Sequence, residues 1–206
     1  MLDGVLRRHI DPVFDVFGRE TGRLGISANA VTLAGAAAGF ACALAVWLGW
    51  FWLALALFAL NRFADGLDGA VARAGGITDR GGYLDIVCDF IVFGALPLAF
   101  ALYHPERNAL SAAVLLASFY ANGTSFLAFS AIAAKRRMET TARGLKSLYF
   151  TTGLAEGTET IVFFAAVLLW PAWFPALAWP FAGLCLITCV ARIMLAWRIF
   201  TVDDPR

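Results

Sequence analysis

The chain has 206 residues, of which 61% are hydrophobic and 15% are charged, and its formal net charge is +1. Soluble domains carry roughly 45–50% apolar and about 25% charged residues, so this composition argues against a soluble, a disordered or a disulfide-rich secreted protein. The small net charge gives no indication of a nucleic-acid partner. Length and composition predict a small integral membrane protein with a single domain over residues 1–206.

The beginning of the chain, residues 1–27, predicts an amphipathic helix. Its apolar residues fall near one helical stripe, with the charged residues opposite; they are Val5, Ile10, Val13, Phe14 and Phe17. A helix of this kind lies in the membrane interface, and the alternative is a solvated arm. Gly25 and Ser27 mark the break before the next helix.

The remainder of the chain predicts spanning helices, each of which needs about 20 mostly apolar residues. Six segments qualify: 30–49, 51–72, 82–103, 109–133, 156–171 and 175–197. The predicted fold is therefore an all-α integral membrane protein with six transmembrane helices, preceded by the interfacial helix. Because the connections are short, any chemistry must lie in or beside the membrane.

The basic residues predict the orientation of these helices. They concentrate before the first span, between the second and third, between the fourth and fifth, and after the sixth, whereas the other connections hold only Arg107. Basic loops stay on the cytoplasmic side. Both termini, the interfacial helix and the two polar connections are therefore expected to be cytoplasmic.

Four carboxylates stand out between the second and third spans. Asp68 follows Asp65 by three positions, and Asp89 follows Asp85 by four, so each pair projects from one face of a helix. Ionisable groups inside spanning helices are unfavourable by about 2.5–3.5 kcal/mol each. A folded protein keeps four of them only if something compensates their charge.

Two kinds of compensation are open. Two divalent cations would cancel four carboxylates in formal charge, and carboxylate oxygens are ligands that Mg²⁺ prefers. The alternative is a protonated cluster or one paired with nearby arginines, but Arg62, Arg73 and Arg80 are fewer than four ionised carboxylates require. The charge count favours metal binding.

Small residues share the faces of these acids. Gly69, Ala72 and Arg73 follow Asp65 and Asp68 at helical spacing, and Gly81 precedes Asp85 and Asp89. A glycine in a helix is about 1 kcal/mol less favourable than alanine. Glycine is nevertheless expected where a ligand must approach the backbone closely. The two faces predict a four-carboxylate cup that opens to the cytoplasm.

These residues also form a known pattern. Asp65-x-x-Asp68-Gly69-x-x-Ala72-Arg73, followed after seven residues by Gly81-x-x-x-Asp85-x-x-x-Asp89, resembles the signature of the CDP-alcohol phosphotransferase (phosphatidyltransferase) family at every fixed position. Asn29-x-x-Thr32-x-x-Gly35 in the first span is similar to the family too, although Ala28 stands where relatives often have proline.

The resemblance implies an enzyme that transfers a phosphatidyl group from a CDP-linked donor, usually CDP-diacylglycerol in bacteria, to a small alcohol and releases CMP. It implies a homodimer in a bacterial inner membrane, with Mg²⁺ or Mn²⁺ as cofactor. Carried over by position, Asp65, Asp68 and Asp85 are metal ligands, and Asp89 is the catalytic base that also contacts a metal ion. The residues that the resemblance implies for contact with the CDP moiety are Gly69, Ala72, Arg73 and Gly81.

The acceptor alcohol is expected near the last three spans. The candidate residues are Arg137, Arg143, Lys146, Glu156, Glu159 and Arg192. Basic residues here fit a phosphorylated alcohol such as glycerol 3-phosphate or inositol phosphate, and equally fit lipid phosphates. The acidic pair fits hydroxyls or an amine better. Thr188-x-x-x-Arg192 resembles relatives that use inositol phosphate, although a snorkelling arginine is the alternative, so the acceptor stays open.

Two other classes compete with an enzyme. An ion-coupled transporter also uses intramembrane carboxylates, but it predicts acids spread over several helices and an internal repeat. A membrane scaffold without activity would not need the complete eight-residue pattern. Clustering of the acids therefore favours the enzyme.

Overall fold

The computed structural model describes residues 3–136, 155 and 157–201, with side chains from Pro12 to Phe200 within those ranges. The described part of the chain contains helices and no strand, which confirms the all-α fold class. The helices are α1 (Asp3–Arg23), α2 (Ala28–Trp47), α3 (Phe51–Gly75), α4 (Asp79–Tyr103), α5 (Pro105–Lys135), α6 (Gly157–Leu169) and α7 (Phe174–Thr201). A short 3₁₀ helix, Pro171–Trp173, precedes α7.

Four stretches among the described residues are long and apolar enough to cross a membrane: Ala28–Trp47, Asp79–Tyr103, Pro105–Lys135 and Pro171–Phe200. They confirm four of the predicted spans. Helix α6 is apolar but has 13 residues, fewer than the roughly 20 that a span needs. Helix α3 has 25 residues, but its second half carries the charges of the predicted cup. The count of six spans therefore stays a prediction.

The breaks between helices follow the local sequence. Gly25 adopts a φ of 77°, and the Ser27 hydroxyl then accepts a hydrogen bond from the Ala30 amide at 3.3 Å, as expected of an N-cap. Gly76 ends α3 with a φ of 108°, which glycine adopts without strain. Thr78 caps α4 by accepting from the Gly81 amide at 3.1 Å.

Helix α2 is the support on which α3 and α4 both pack. A Cβ atom on Gly35 would lie 2.9 Å from Cβ of Ala64, and one on Gly39 would lie 2.6 Å from Cγ1 of Val92. Small residues permit this close approach of helices, which is how membrane helices gain packing energy. The glycines of α2 thus bring the acidic segments of α3 and α4 to one place.

Aromatic stacking fills the apolar half of the protein. The rings of Phe100 and Phe174 stack with centroids 4.3 Å apart, and those of Phe163 and Phe181 with centroids 4.4 Å apart. Aromatic pairs contribute about 0.5–1.5 kcal/mol beyond the area that they bury. These contacts hold α7 against α4 and α6.

Helix α1 packs on α3. The Phe14 ring lies 5.3 Å from that of Phe63, and a Cβ on Gly66 would meet Phe14 at 2.7 Å. Part of the apolar stripe of the predicted interfacial helix therefore contacts α3. Its helical conformation agrees with the sequence, whereas its position in a membrane interface stays a prediction.

Candidate active site

The structure brings the four predicted carboxylates into one pocket between α3 and α4, with α2 as its floor. The residues that line it are Thr32, Gly35, Ala36, Asn61, Asp65, Asp68, Asp85, Cys88, Asp89 and Val92. We call the group formed by Asp65, Asp68, Asp85 and Asp89 the carboxylate cup. Helical spacing aims each pair inward, and the packing of both helices on α2 makes the pairs converge.

Three of the four carboxylates converge closely. Asp65, Asp68 and Asp85 each offer one oxygen, and the three oxygens lie within 4.8 Å of one another. Around one Mg²⁺ with bond lengths of about 2.0–2.1 Å, octahedral ligand oxygens lie about 3–4 Å apart. The donor set is all carboxylate, as a hard divalent cation requires, and the spacing is reached by small side-chain movements. The three residues therefore fit a divalent metal ion.

Asp68 is held from α2. Its side chain is buried, with 5% of the residue exposed. The Thr32 hydroxyl donates to Asp68 Oδ2 at 2.6 Å. Residues that orient a metal-binding carboxylate in this way contribute to metal affinity. Thr32 therefore fixes which oxygen of Asp68 faces the cup.

The fourth carboxylate has a different partner. Asp89 Oδ1 accepts a hydrogen bond from Arg62 Nη2 at 2.7 Å, and Arg62 Nη1 lies 3.6 Å from Asp65 Oδ2. One arginine thus compensates part of the charge, so the cup and Arg62 together carry a formal charge of −3. The sequence favoured two metal ions as the compensating charges, with arginine pairing as the alternative, and the structure shows that Arg62 contributes one positive charge.

The predicted CDP-binding residues lie on the rim. A Cβ atom on Gly69 would have no neighbour nearer than Arg73 Nη1 at 3.5 Å, so this side of α3 is open. Ala72 lies partly exposed one turn further along α3. Arg73 donates to Asp15 Oδ1 at 2.8 Å, and a phosphate would have to share or replace that contact.

Gly81 lies apart from that open side. A Cβ atom there would meet Thr78 Oγ1 at 3.0 Å and Asn29 Oδ1 at 3.1 Å. Gly81 therefore allows the N-terminus of α4 to approach the beginning of α2. This contact gives Gly81 a packing role beside the predicted one.

We expect Gly69→Leu to raise the KM for the CDP donor strongly while leaving the fold intact, because a side chain there would project into open space. Gly75→Leu is the matched control, since Gly75 ends the same helix and also has nothing near its Cβ position. Donor binding and melting temperature should be measured for both variants. Normal donor affinity in Gly69→Leu would show that this face of α3 does not contact the nucleotide.

The acceptor candidates divide into two groups. Arg137, Arg143, Lys146 and Glu156 lie outside the described residues. Glu159 lies in the first turn of α6. Arg192 Nη1 lies 2.9 Å from Asn122 Oδ1 and 2.7 Å from Ser125 Oγ, so α7 is tied to α5 at this point.

Sequence reasoning missed three contributors to the site. Thr32 appears in the sequence analysis only as part of a family-like pattern, and neither Asn61 nor Cys88 has a role there. The available signal was a polar residue inside an apolar helix, as at Thr32 and Asn61. Their partners are set by the packing of α2 against α3, which spacing along one helix does not reveal.

The comparisons with known proteins agree with this geometry. Residues 26–202 match the family model described as CDP-alcohol phosphatidyltransferase. The chain is 44% identical over 193 residues to the inner membrane protein YnjF of Escherichia coli, and the match covers 94% of each chain. It is 30% identical over 189 residues to a phosphatidylinositol phosphate synthase of Mycobacterium marinum, covering 85% of this chain and 75% of that one.

Solved structures share the fold. The chain resembles phosphatidylinositol phosphate synthase PgsA1 of Mycobacterium tuberculosis, with 23% identity, in a structure with CDP-DAG bound (TM-score 0.66, 90% of this chain and 94% of that one). A structure of PgsA1 in complex with manganese and citrate gives a TM-score of 0.69, covering 89% and 88%. With the family model spanning most of the sequence, the chain belongs to the CDP-alcohol phosphatidyltransferase family.

Proposed function

We propose that this protein transfers the phosphatidyl group of CDP-diacylglycerol to the hydroxyl of a small alcohol and releases CMP. The observation that carries the proposal is the convergence of Asp65, Asp68 and Asp85 within 4.8 Å, beside Asp89, in a member of this family. The M. tuberculosis relative with CDP-DAG bound supports the choice of donor.

The residues of the carboxylate cup have different roles in this reaction. Asp65, Asp68 and Asp85 would hold Mg²⁺ or Mn²⁺, and a bound divalent ion neutralises pyrophosphate charge and stabilises the charge that develops on the leaving group. The manganese complex of the relative supports this cofactor class. We infer two ions from the family resemblance, with Arg62 supplying part of the compensation.

Asp89 is proposed as the general base. The acceptor oxygen forms a bond to the phosphorus next to diacylglycerol, the bond from that phosphorus to the CMP oxygen breaks, and the hydroxyl proton passes to Asp89. A positioned base typically contributes a factor of about 10²–10⁴. Gly69, Ala72 and Arg73 would hold the nucleotide on the open side of α3, with Gly81 at the beginning of α4.

The remaining features of the proposal concern the setting. We infer six spans, a cytoplasmic active site and a homodimer in a bacterial inner membrane; the E. coli inner membrane relative supports that membrane. The acceptor is a small alcohol whose identity the candidate residues Glu159 and Arg192 help to select. Clustering of the acids in one cup argues against an ion-coupled transporter, which would distribute them along a path.

The function is tested with purified protein in detergent or nanodiscs by measuring CMP release from CDP-diacylglycerol. The alcohols to compare are glycerol 3-phosphate, inositol phosphate, inositol, serine and ethanolamine. Acceptor-dependent CMP release with one of them supports the proposal. A complete absence of CMP release with every alcohol, with Mg²⁺ and Mn²⁺ present, would refute it.

Metal removal gives a separate expectation. Excess EDTA should abolish CMP release, and Mg²⁺ or Mn²⁺ should restore it, because the three converging carboxylates repel one another when no cation lies between them. The control is Ca²⁺, a larger ion that prefers longer bonds of about 2.3–2.6 Å, which should restore less activity. Full turnover in metal-free buffer would contradict the assignment of Asp65, Asp68 and Asp85.

A further inference from the structure

Arg62 is a nearly buried cation that lies outside the eight-residue pattern. Its side chain is only 11% exposed. Arg62 Nε donates to Asn61 Oδ1 at 2.9 Å, and Asn61 Nδ2 in turn donates to the Gly35 carbonyl at 2.8 Å. The guanidinium carbon lies 4.6 Å from the centroid of the Phe93 ring. Arg62 is therefore fixed from α2, α3 and α4 together.

This arrangement aims the guanidinium at one carboxylate. Arg62 Nη2 donates to Asp89 Oδ1 at 2.7 Å, whereas its approach to Asp65 is longer, at 3.6 Å. The three carboxylates that converge tightly enough for a metal ion are Asp65, Asp68 and Asp85. The carboxylate that Arg62 holds is thus the one outside that group.

We propose that Arg62 is a positioning residue: it holds Asp89 by its Oδ1 atom and so orients this carboxylate toward the acceptor hydroxyl. The inference rests on the proposed function and deepens it. A buried arginine fork holds a carboxylate in a defined geometry, which a point charge does not. Asp89 then offers its second oxygen, Oδ2, to the acceptor.

Two opposite effects follow when Arg62 is removed. The formal charge of the group changes from −3 to −4 and Asp89 loses its ion pair, so a divalent cation binds more tightly. Turnover falls, because Asp89 loses its orientation. Loss of a residue needed only for folding would weaken both metal binding and turnover. Tighter metal binding together with slower turnover therefore distinguishes a positioning role from a structural one.

The experiment compares the full-length wild type with Arg62→Met and Arg62→Lys in detergent. Mn²⁺ affinity is measured from the electron paramagnetic resonance signal of free Mn²⁺, and kcat and KM from CMP release. Arg198→Met is the control, since Arg198 is an exposed arginine in the last turn of α7. Melting temperature is recorded for each variant.

We expect Arg62→Met to bind Mn²⁺ about 3- to 10-fold more tightly, the scale of one charge acting through a water-like dielectric. Its kcat should fall about 10-fold or more, as misplaced groups do, with the KM for CDP-diacylglycerol little changed. Arg62→Lys keeps the charge but not the fork, so its Mn²⁺ affinity should stay near wild type and its kcat should be intermediate.

Unchanged kcat in Arg62→Met, or a loss of Mn²⁺ affinity parallel to the loss of kcat in a folded variant, would overturn the proposal. If Arg62→Met does not fold, Arg62→Gln takes its place with the same two expectations. If the wild type releases no CMP, the proposed function fails on its own. The Mn²⁺ comparison then decides about Arg62, since unchanged or weaker binding in the variant overturns its role and tighter binding supports it.

Discussion

Asp89→Asn should reduce turnover by about 10²-fold or more, the usual scale for loss of a general base, while CDP-diacylglycerol binding stays nearly intact. The amide has almost the same shape as the carboxylate, so the walls of the cup are retained. Its Oδ1 still accepts the hydrogen bond from Arg62, which Asp89 accepts at 2.7 Å in the wild type. The amide cannot take a proton from the acceptor hydroxyl.

The measurement is kcat alongside donor affinity. Asp79→Asn is the matched control, because Asp79 is an exposed carboxylate in the first turn of the same helix and should leave both quantities unchanged. Near-normal turnover in Asp89→Asn would refute the base assignment. Loss of donor affinity together with a loss of Mn²⁺ affinity of more than about 100-fold, the scale expected for removal of a ligand, would instead make Asp89 a metal ligand.

Asp68→Ala should weaken Mn²⁺ binding by more than about 100-fold, since even residues that merely orient a ligand contribute 10–100-fold, and turnover should fall with it. Asp68 is the most buried member of the cup and accepts from Thr32 at 2.6 Å. Its removal takes away one of three converging oxygens and leaves the Thr32 hydroxyl without that acceptor. Asp65→Ala and Asp85→Ala should act in the same direction.

Thr32→Val tests the hydrogen bond that orients Asp68 without removing the carboxylate itself. Valine has nearly the same shape but no hydroxyl, so Asp68 remains and loses only its orientation. We expect a loss of Mn²⁺ affinity of about 10-fold, clearly smaller than in Asp68→Ala. Asp68→Ala with unaltered Mn²⁺ affinity and normal CMP release would show that the metal does not bind in the cup.

The sequence was most informative where chemistry depends on spacing along one helix. Asp65 with Asp68, and Asp85 with Asp89, share helix faces because of the helical repeat, and the structure places all four in one pocket. Arg62 was a candidate partner because it is one of three arginines in the same stretch of sequence. Its pairing with Asp89 depends on how α3 and α4 pack, which spacing within one helix does not encode.

The role of α2 was hidden for the same reason. Its sequence is apolar and rich in small residues, which predicts a spanning helix but not which neighbours pack against it. The contacts of Gly35 with Ala64 and of Gly39 with Val92 make α2 the common support. The hydrogen bond from Thr32 to Asp68 exists only because of that packing.

The rim of the site carries an ion pair that the sequence did not predict. The family resemblance implies that Arg73 contacts the CDP moiety, and in the structure Arg73 pairs with Asp15 of α1 at 2.8 Å. An exposed ion pair of this kind contributes at most about 1 kcal/mol, so a multiply charged phosphate competes with Asp15 readily. The pair joins the first helix to the predicted nucleotide side of the site.

The most direct test of phosphatidyl transfer follows the phosphorus atom itself. CDP-diacylglycerol is labelled with ³²P in the phosphate bonded to diacylglycerol and incubated with the protein, Mn²⁺ and the acceptor that stimulates CMP release. The account predicts that the label moves into a new phospholipid containing that alcohol, in equal amount to the CMP formed. Label found only in phosphatidic acid, whatever the alcohol, would show hydrolysis and contradict transfer.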